Sequence, residues 1–392
     1  MMQSSYRRDV ENMKIQVSKE LAESRNSSDL KRRTIVSASL YNLLPQIQID
    51  RHQSIIDNIM LHQKWAVLDQ HYVHLAKDLI SEGEYVDFSG LSEKPTIFCS
   101  YHLGSYRLLI PYLISKNIKF TLLIDSQVAN MQRDDFEDVV RRSIVMFGSD
   151  VDCCRIIDTS GGGVVFSMLK ELKRNRSLLI FVDGNSGVDA NRDGSNNRVD
   201  IEFMGNFLSA RKGVAYISHV AKVSITPVLL YRNLEDQLKN SIRFEKPVFP
   251  DLTVEKDDYA LHAMQYLYQV LQQKLETCFD QWESWFYIEQ SLFLSQCEPL
   301  TVEIDIEKIS EDIIVTFNSC RYDLSSPDSN EFLLFDRKYY RSMFISEAFK
   351  TYLEAFVGNC LSVKKCLENP QTTITLLHKL LEKEVLQINQ AA

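Results

Sequence analysis

Between residues 96 and 244 the chain alternates short apolar runs with longer stretches whose apolar side chains recur at helical spacing. The runs at 96–100, 120–124, 153–157, 178–183, 200–204, 225–231 and 242–244 predict strands, being short, largely apolar and flanked by turn residues or by helical patterns. The stretches at 105–115, 134–147, 164–175 and 210–222 predict helices. Buried-type strands alternating with helices predict an α/β domain, a mixed, largely parallel sheet flanked by helices. Upstream, 29–44 predicts a helix, and Ile59, Ala66, Val73 and Ile80 at seven-residue intervals, with Ile56, Met60 and Val67 beside them, predict one or two amphipathic helices. Downstream, Met264, Leu267, Leu271, Leu275, Cys278 and Trp282 share one face of a long helix that runs into the aromatic cluster Trp282, Trp285, Phe286 and Tyr287.

Near Pro299 the rhythm changes: alternating runs at 302–306, 313–317 and 332–335 precede helical ones at 344–356, 361–368 and 374–386. Strands followed by helices predict a separate small α+β domain. The expected organisation is a helical region at 1–50, the α/β domain at 51–297 and the small domain at 298–392.

Composition narrows the function. A chain of 392 residues with 45% hydrophobic and 25% charged residues is ordinary for a soluble protein. A net charge of −9 argues against non-specific nucleic-acid binding, which needs a dominating basic surface. The eight cysteines lack the paired spacing of a zinc site and read as reduced, buried, cytosolic thiols. No run approaches the roughly 18 apolar residues that span a bilayer, and the polar start Met1-Met2-Gln3-Ser4-Ser5 is no signal peptide. A cytoplasmic protein follows, soluble or peripheral at the inner membrane.

The candidate chemistry gathers at strand ends, where open parallel sheets place their sites. Ser100-Tyr101-His102-Leu103-Gly104-Ser105-Tyr106-Arg107 puts a histidine, suited to take a proton near neutral pH, after one strand. The bland alternative is a histidine satisfied by a backbone partner. Phe181-Val182-Asp183-Gly184-Asn185 ends another strand in an acid, either a tautomer-holding partner for His102 or a turn former. In Phe203–Gly213, Ser209 is a candidate cap for a helix whose first turn carries Arg211 and Lys212, a setting for a phosphate or a developing oxyanion or merely solvated cations. Arg107 is an anion clamp or a solvated helix residue. Ser160-Gly161-Gly162-Gly163 lacks the lysine and spacing of a phosphate loop. The candidate catalytic residues are His102, Asp183 and Arg107; the candidate substrate contacts are Gly104, Ser105, Tyr106, Gly184, Asn185, Ser209, Arg211 and Lys212.

These segments, with Ser224-Ile225-Thr226-Pro227-Val228 and Gln281-Trp282-Glu283-Ser284-Trp285, occur in an order that resembles the lysophospholipid acyltransferase superfamily, nearest the late acyltransferases of lipid A biosynthesis, over roughly residues 50–290. The resemblance implies acyl transfer from a thioester of acyl carrier protein or coenzyme A to a hydroxyl or amine, with His102 as general base, an oxyanion to be stabilised and an apolar tunnel for the chain. It implies no permanently bound cofactor and no metal. The chain departs from the pattern twice. The family carries Asp or Glu five positions after the histidine, where this chain has Arg107; the acid must then come from Asp183, Asp125 or Asp158, or the activity is altered or lost. The hydrophobic N-terminal anchor of the lipid A enzymes has no counterpart, which points to a soluble or peptide-borne acceptor. The C-terminal segment Phe332–Arg341 and the helices after it resemble small winged-helix-like peptide-binding domains, with dimerisation or packing as alternatives. Arg141, Arg142, Lys170, Lys173, Arg174 and Arg176 form a candidate docking face for an acidic carrier protein, or plain solvated helix faces. The leading expectation is an acyltransferase; the runner-up is a catalytically degenerate fold that binds lipid or scaffolds a biosynthetic complex.

Overall fold

Seven strands form the main sheet, in the order β1-β9-β8-β2-β5-β3-β4. They are β1 (Ile80–Glu82), β2 (Ile97–Ser100), β3 (Phe120–Ile124), β4 (Cys154–Asp158), β5 (Ser177–Phe181), β8 (Ile225–Arg232) and β9 (Asn240–Phe244). The run β8-β2-β5-β3-β4 is parallel, and the β8–β9 pair alone is antiparallel. This is the α/β fold read from the sequence, and in this computed structural model β2, β3 and β8 are buried along their whole length. The structure describes residues 2–23, 27–82, 90–91, 93–124, 126–158, 163–184, 197–293, 310–328, 331–370 and 372–389. The expected strand at 302–306, Asn185, Asp125 and most of the Ser160–Gly163 loop lie outside them.

Helices α4 (Leu109–Ser115), α5 (Ser126–Phe147), α6 (Val164–Lys173), α7 (Gly213–Ala221) and α8 (Lys256–Cys278) accompany the sheet. Leu108, Leu109, Leu113, Phe98, Phe120 and Leu179 are among the buried side chains of its core. Three elements around this sheet differ from expectation: Ile80 opens β1 and is not helical, α8 ends at Cys278 before Trp282, and the helix expected from 210 starts later. The stretch 206–211 is a strand, β7 (Asn206–Arg211), in a hairpin with β6 (Arg198–Phe203) and paired on its other side with the short β10 (Leu292–Phe293). Ile201, Phe203, Leu208 and Ala210 are buried at period two, and the two-residue turn Met204-Gly205 has positive φ at both positions, the geometry that a tight hairpin needs. Ser209 therefore caps no helix; α7 begins at Gly213 with Lys212 in the cap position and no side-chain cap.

The chain divides into two units, Met1–Glu23 with Ile55–Phe293, and Ser24–Ser54 with Leu294–Ala392. Residues 1–50 are thus not one region: α1 (Met2–Glu23) goes with the sheet and α2 (Ser27–Leu43) with the second unit. Polar contacts explain the division. Tyr6 of α1 donates to Asp69 at 2.7 Å, at the end of α3 (His52–Asp69), whereas Ser37 and Asn42 of α2 bond the side chain and carbonyl of Arg337 at 2.9 and 2.8 Å.

In the second unit β12 (Tyr322–Asp328), β13 (Glu331–Asp336) and β14 (Arg341–Ile345) form an antiparallel meander, and β11 (Ile314–Phe317) pairs with β15 (Leu361–Ser362) and β16 (Leu386–Ile388). Helices α9 (Glu347–Glu354), α10 (Val363–Leu367) and α11 (Ile374–Glu382) each start on a hydroxyl cap, Ser346, Ser362 and Thr373, accepting from the amide three residues on. The helix expected from 344 begins later, because Phe344 pairs with Leu333 in the sheet.

Candidate active site

The register of two strands builds the site. β2 and β5 are parallel neighbours with Ser100 opposite Phe181, so the residues two positions beyond, His102 and Asp183, leave the carboxyl edge side by side. His102 Nδ1 lies 2.8 Å from Asp183 Oδ1, and the His102 backbone amide donates to both carboxylate oxygens at 3.1 and 3.0 Å. A carboxylate only accepts, so Nδ1 carries the proton and Nε2 holds the basic lone pair. Trp282 Nε1 donates to Asp183 Oδ2 at 2.7 Å and Ser284 Oγ at 2.9 Å. The Asp183 side chain is 1% exposed and the His102 ring 21%, so the acid is locked in while the ring reaches open space.

The electrostatics follow from these contacts. Burial would raise the Asp183 pKa, but the facing imidazole and the donated hydrogen bonds outweigh it, and the carboxyl sits below its usual range. Burial would lower His102; the Asp183 charge, with Glu283 adding to it, overrides both that and the nearby Arg107 cation, and the ring sits above its ordinary 6.5.

A cavity of about 850 Å³ opens beside His102. Leu122, Ile124, Phe136, Met168, Leu169 and Ile180 are among its apolar lining, and His102, Tyr106, Arg107, Gly184, Arg211 and Glu283 supply polar atoms to its wall. Tyr106 and Phe181 flank the imidazole edge-on and tilted, at 4.9 and 5.0 Å between ring centres.

The loop after His102 is held from below. Gly104 has φ +55°, and a Cβ there would stand 2.6 Å from the Tyr231 Cα and 2.9 Å from Gln281 Oε1. We expect Gly104→Ala to cost at least about 1–3 kcal/mol, read as a lower denaturant midpoint; an unchanged midpoint would show that the loop is not pinned there. Ser105 Oγ donates to Asp69 Oδ2 at 2.6 Å, and Arg232 Nη2 meets the same oxygen at 2.7 Å. Both charged side chains are fully buried, and the guanidinium lies 4.1 Å from the Trp65 ring centre.

Of the residues singled out in the sequence, the structure brings His102, Tyr106, Arg107, Gly184 and Arg211 to the cavity wall and places Asp183 directly behind His102. Gly104 and Ser105 belong to the loop itself and face Tyr231 and Asp69, Ser209 is within the hairpin, and Lys212 Nζ is taken up by Asp257 at 2.8 Å. The acid against the His102 ring is Asp183; Asp158 ends β4, which is separated from β5 by β3. Arg176 does not belong to a solvated face: it is buried and donates to the carbonyls of Phe120 and Cys153 at 3.1 and 3.0 Å. Cys99, Cys153, Cys278 and Cys366 are buried, but Cys320 and Cys360 are exposed. Trp282, Ser284, Glu283 and Asp69 were not singled out as site residues. The tryptophan belongs to an aromatic cluster, and a buried indole N–H needs an acceptor; Glu283 and Ser284 lie in the same Gln281–Trp285 segment with no role read for them, and Asp69 leaves no local signal. Among the described residues no cluster of His, Cys, Asp or Glu is arranged to hold a metal ion, and no helix is long and apolar enough to cross a membrane.

No protein-family model matches the chain, and no curated protein matches it in sequence. Among solved structures it is similar to the 1-acyl-sn-glycerophosphate acyltransferase PlsC from Thermotoga maritima, with 12% identity and a TM-score of 0.33 over 62% of this chain and 95% of that one. A likeness that distant fixes neither lineage nor activity.

Proposed function

We propose that the protein is an acyltransferase that moves a fatty acyl group from a thioester, on acyl carrier protein or coenzyme A, to a hydroxyl or amine of its acceptor. The observation that carries the reading is the His102 ring, backed by Asp183 at 2.8 Å and bordering a largely apolar cavity. Each chain methylene withdrawn from water is worth about 0.8 kcal/mol, so a fatty chain suits that volume. Nε2 has no hydrogen bond to any described residue, leaving the basic nitrogen to the acceptor.

In this scheme Nε2 takes the proton of the acceptor O–H or N–H as its oxygen or nitrogen attacks the thioester carbonyl carbon. The imidazolium that forms is stabilised by Asp183. Collapse of the tetrahedral oxyanion breaks the C–S bond, and the imidazolium returns its proton to the leaving thiolate. Gly213 and Val214 at the amino end of α7 line the same cavity, and the orphan amides of a first helical turn favour developing negative charge.

Incubation with acyl-carrier-protein or acyl-coenzyme A thioesters and a panel of amines and alcohols should release free thiol together with acylated product, read by mass spectrometry. No thiol release from either donor would overturn the reading. The base must be neutral, so kcat/KM should rise with pH through a limb set by the raised His102 pKa, above about 6.5. A pH–rate profile with its limb below 6.5 would contradict the His102–Asp183 coupling.

Two observations bear on the acceptor. β14 is a sheet edge whose Phe344 is 75% exposed, and such an edge can take an extended peptide by strand addition, which supports a peptide-borne acceptor. Val165 and Val220 line the cavity while more than half exposed, which supports a lipid acceptor met at a membrane surface; co-sedimentation with liposomes separates the two. A degenerate, lipid-binding fold was favoured by Arg107 standing in the acid's place, and with Asp183 against the imidazole that observation no longer favours it.

A further inference from the structure

Arg107 lines the cavity beside the base, and the acyl-transfer scheme gives it no role. Its Nη1 donates to two side-chain amides, Gln70 Oε1 at 2.8 Å and Gln132 Oε1 at 3.2 Å. Its guanidinium carbon lies 5.5 Å from the Tyr106 ring centre and 6.0 Å from that of Phe136. All of these partners are uncharged. Among the described residues no carboxylate forms an ion pair with it, and its Nε is buried without an acceptor. Glu283, the carboxylate on the same wall, accepts from Gln63 at 2.8 Å and from Tyr106 at 3.2 Å.

A guanidinium is always charged and matches a carboxylate or phosphate through a planar fork. Here neutral groups fix its orientation, while the described residues give it no paired anion. Arg107 and His102 pack against the same Tyr106 ring and line the same cavity. An anion held at Arg107 would therefore stand beside the base, in apolar surroundings where a lone cation is poorly solvated.

We propose that Arg107 binds an anionic group of the acceptor, a carboxylate or a phosphate, so that the protein acylates an amine or hydroxyl carried on an anionic molecule. This rests on the acyl-transfer reading of the site and adds the charge class of the acceptor. Residue 107 then has a binding role, with orientation of His102 left to Asp183.

The test is calorimetric, with the full chain and three product mimics that do not turn over: N-dodecanoylglycine, N-dodecanoylethanolamine phosphate and neutral N-dodecanoylethanolamine. Wild type should bind at least one anionic mimic tenfold or more tighter than the neutral one, and the better anion identifies carboxylate or phosphate as the source. Arg107→Gln should abolish that preference with affinity for the neutral mimic unchanged, and Arg107→Lys should retain part of it, showing that the loss follows charge and not misfolding. Equal binding of all three mimics, binding of none, or a preference that survives Arg107→Gln overturns the proposal. Thioester turnover is read separately on the same protein. Turnover without anion preference sinks this inference alone; anion preference without turnover sinks the acyltransferase reading and leaves an anionic-amphiphile site.

Discussion

Asp183→Asn should lower kcat by about a thousandfold, with a smaller change in KM. The carboxylate accepts from four donors: the His102 amide, His102 Nδ1–H, Trp282 Nε1 and Ser284 Oγ. An asparagine offers one acceptor oxygen and an NH2 group that must face a donor or the imidazole. If the NH2 faces Nδ1, the ring turns to the tautomer with its proton on Nε2, and the base is lost. Where a carboxylate orients a catalytic histidine, this change costs up to about 10⁴-fold in kcat. The acid limb of the pH profile should move down as well, since burial, no longer opposed by Asp183, lowers the imidazole pKa. Steady-state kinetics at pH 8 check this; a loss under tenfold would mean that Asp183 serves only the fold.

Asp69→Ala should destabilise the protein by about 3–5 kcal/mol, the cost of removing one partner from a buried ion pair. Three donors converge on that carboxylate: Tyr6 OH, Ser105 Oγ and Arg232 Nη2. Without it Arg232, fully buried, keeps its charge and loses its counter-ion. The network joins α1, α3, β8 and the loop of His102, so the loss should appear in global unfolding and not only in the loop. Denaturant melts at neutral pH check the magnitude. A cost under about 1 kcal/mol would show that the pair is balanced by desolvation.

The two strand ends that meet in the site were legible in the sequence because each is a local pattern, an apolar run that stops at a polar loop. The adjacency of β2 and β5 was not, since it is a non-consecutive pairing that no local spacing encodes. It alone decides between the open readings of Asp183, as turn former or as partner of His102. The hairpin of β6 and β7 was misread for a different reason. Ser209, Arg211 and Lys212 look like the start of a helix, yet the period-two burial of Ile201, Phe203, Leu208 and Ala210 around Gly205 is a strand signal, and burial won. Asp69 and Trp282 show the remaining limit: their partners are 36 to 163 residues away for the first and 99 for the second. A lone acid at a helix end reads as solvated until tertiary structure supplies its donors.

The most direct measurement is acyl transfer by His102→Ala beside wild type, with product quantified by mass spectrometry and folding checked by thermal melt. The account predicts a variant that melts cooperatively and forms product at least a hundredfold more slowly, the usual worth of a positioned general base. A folded His102→Ala variant that acylates as fast as wild type would contradict it.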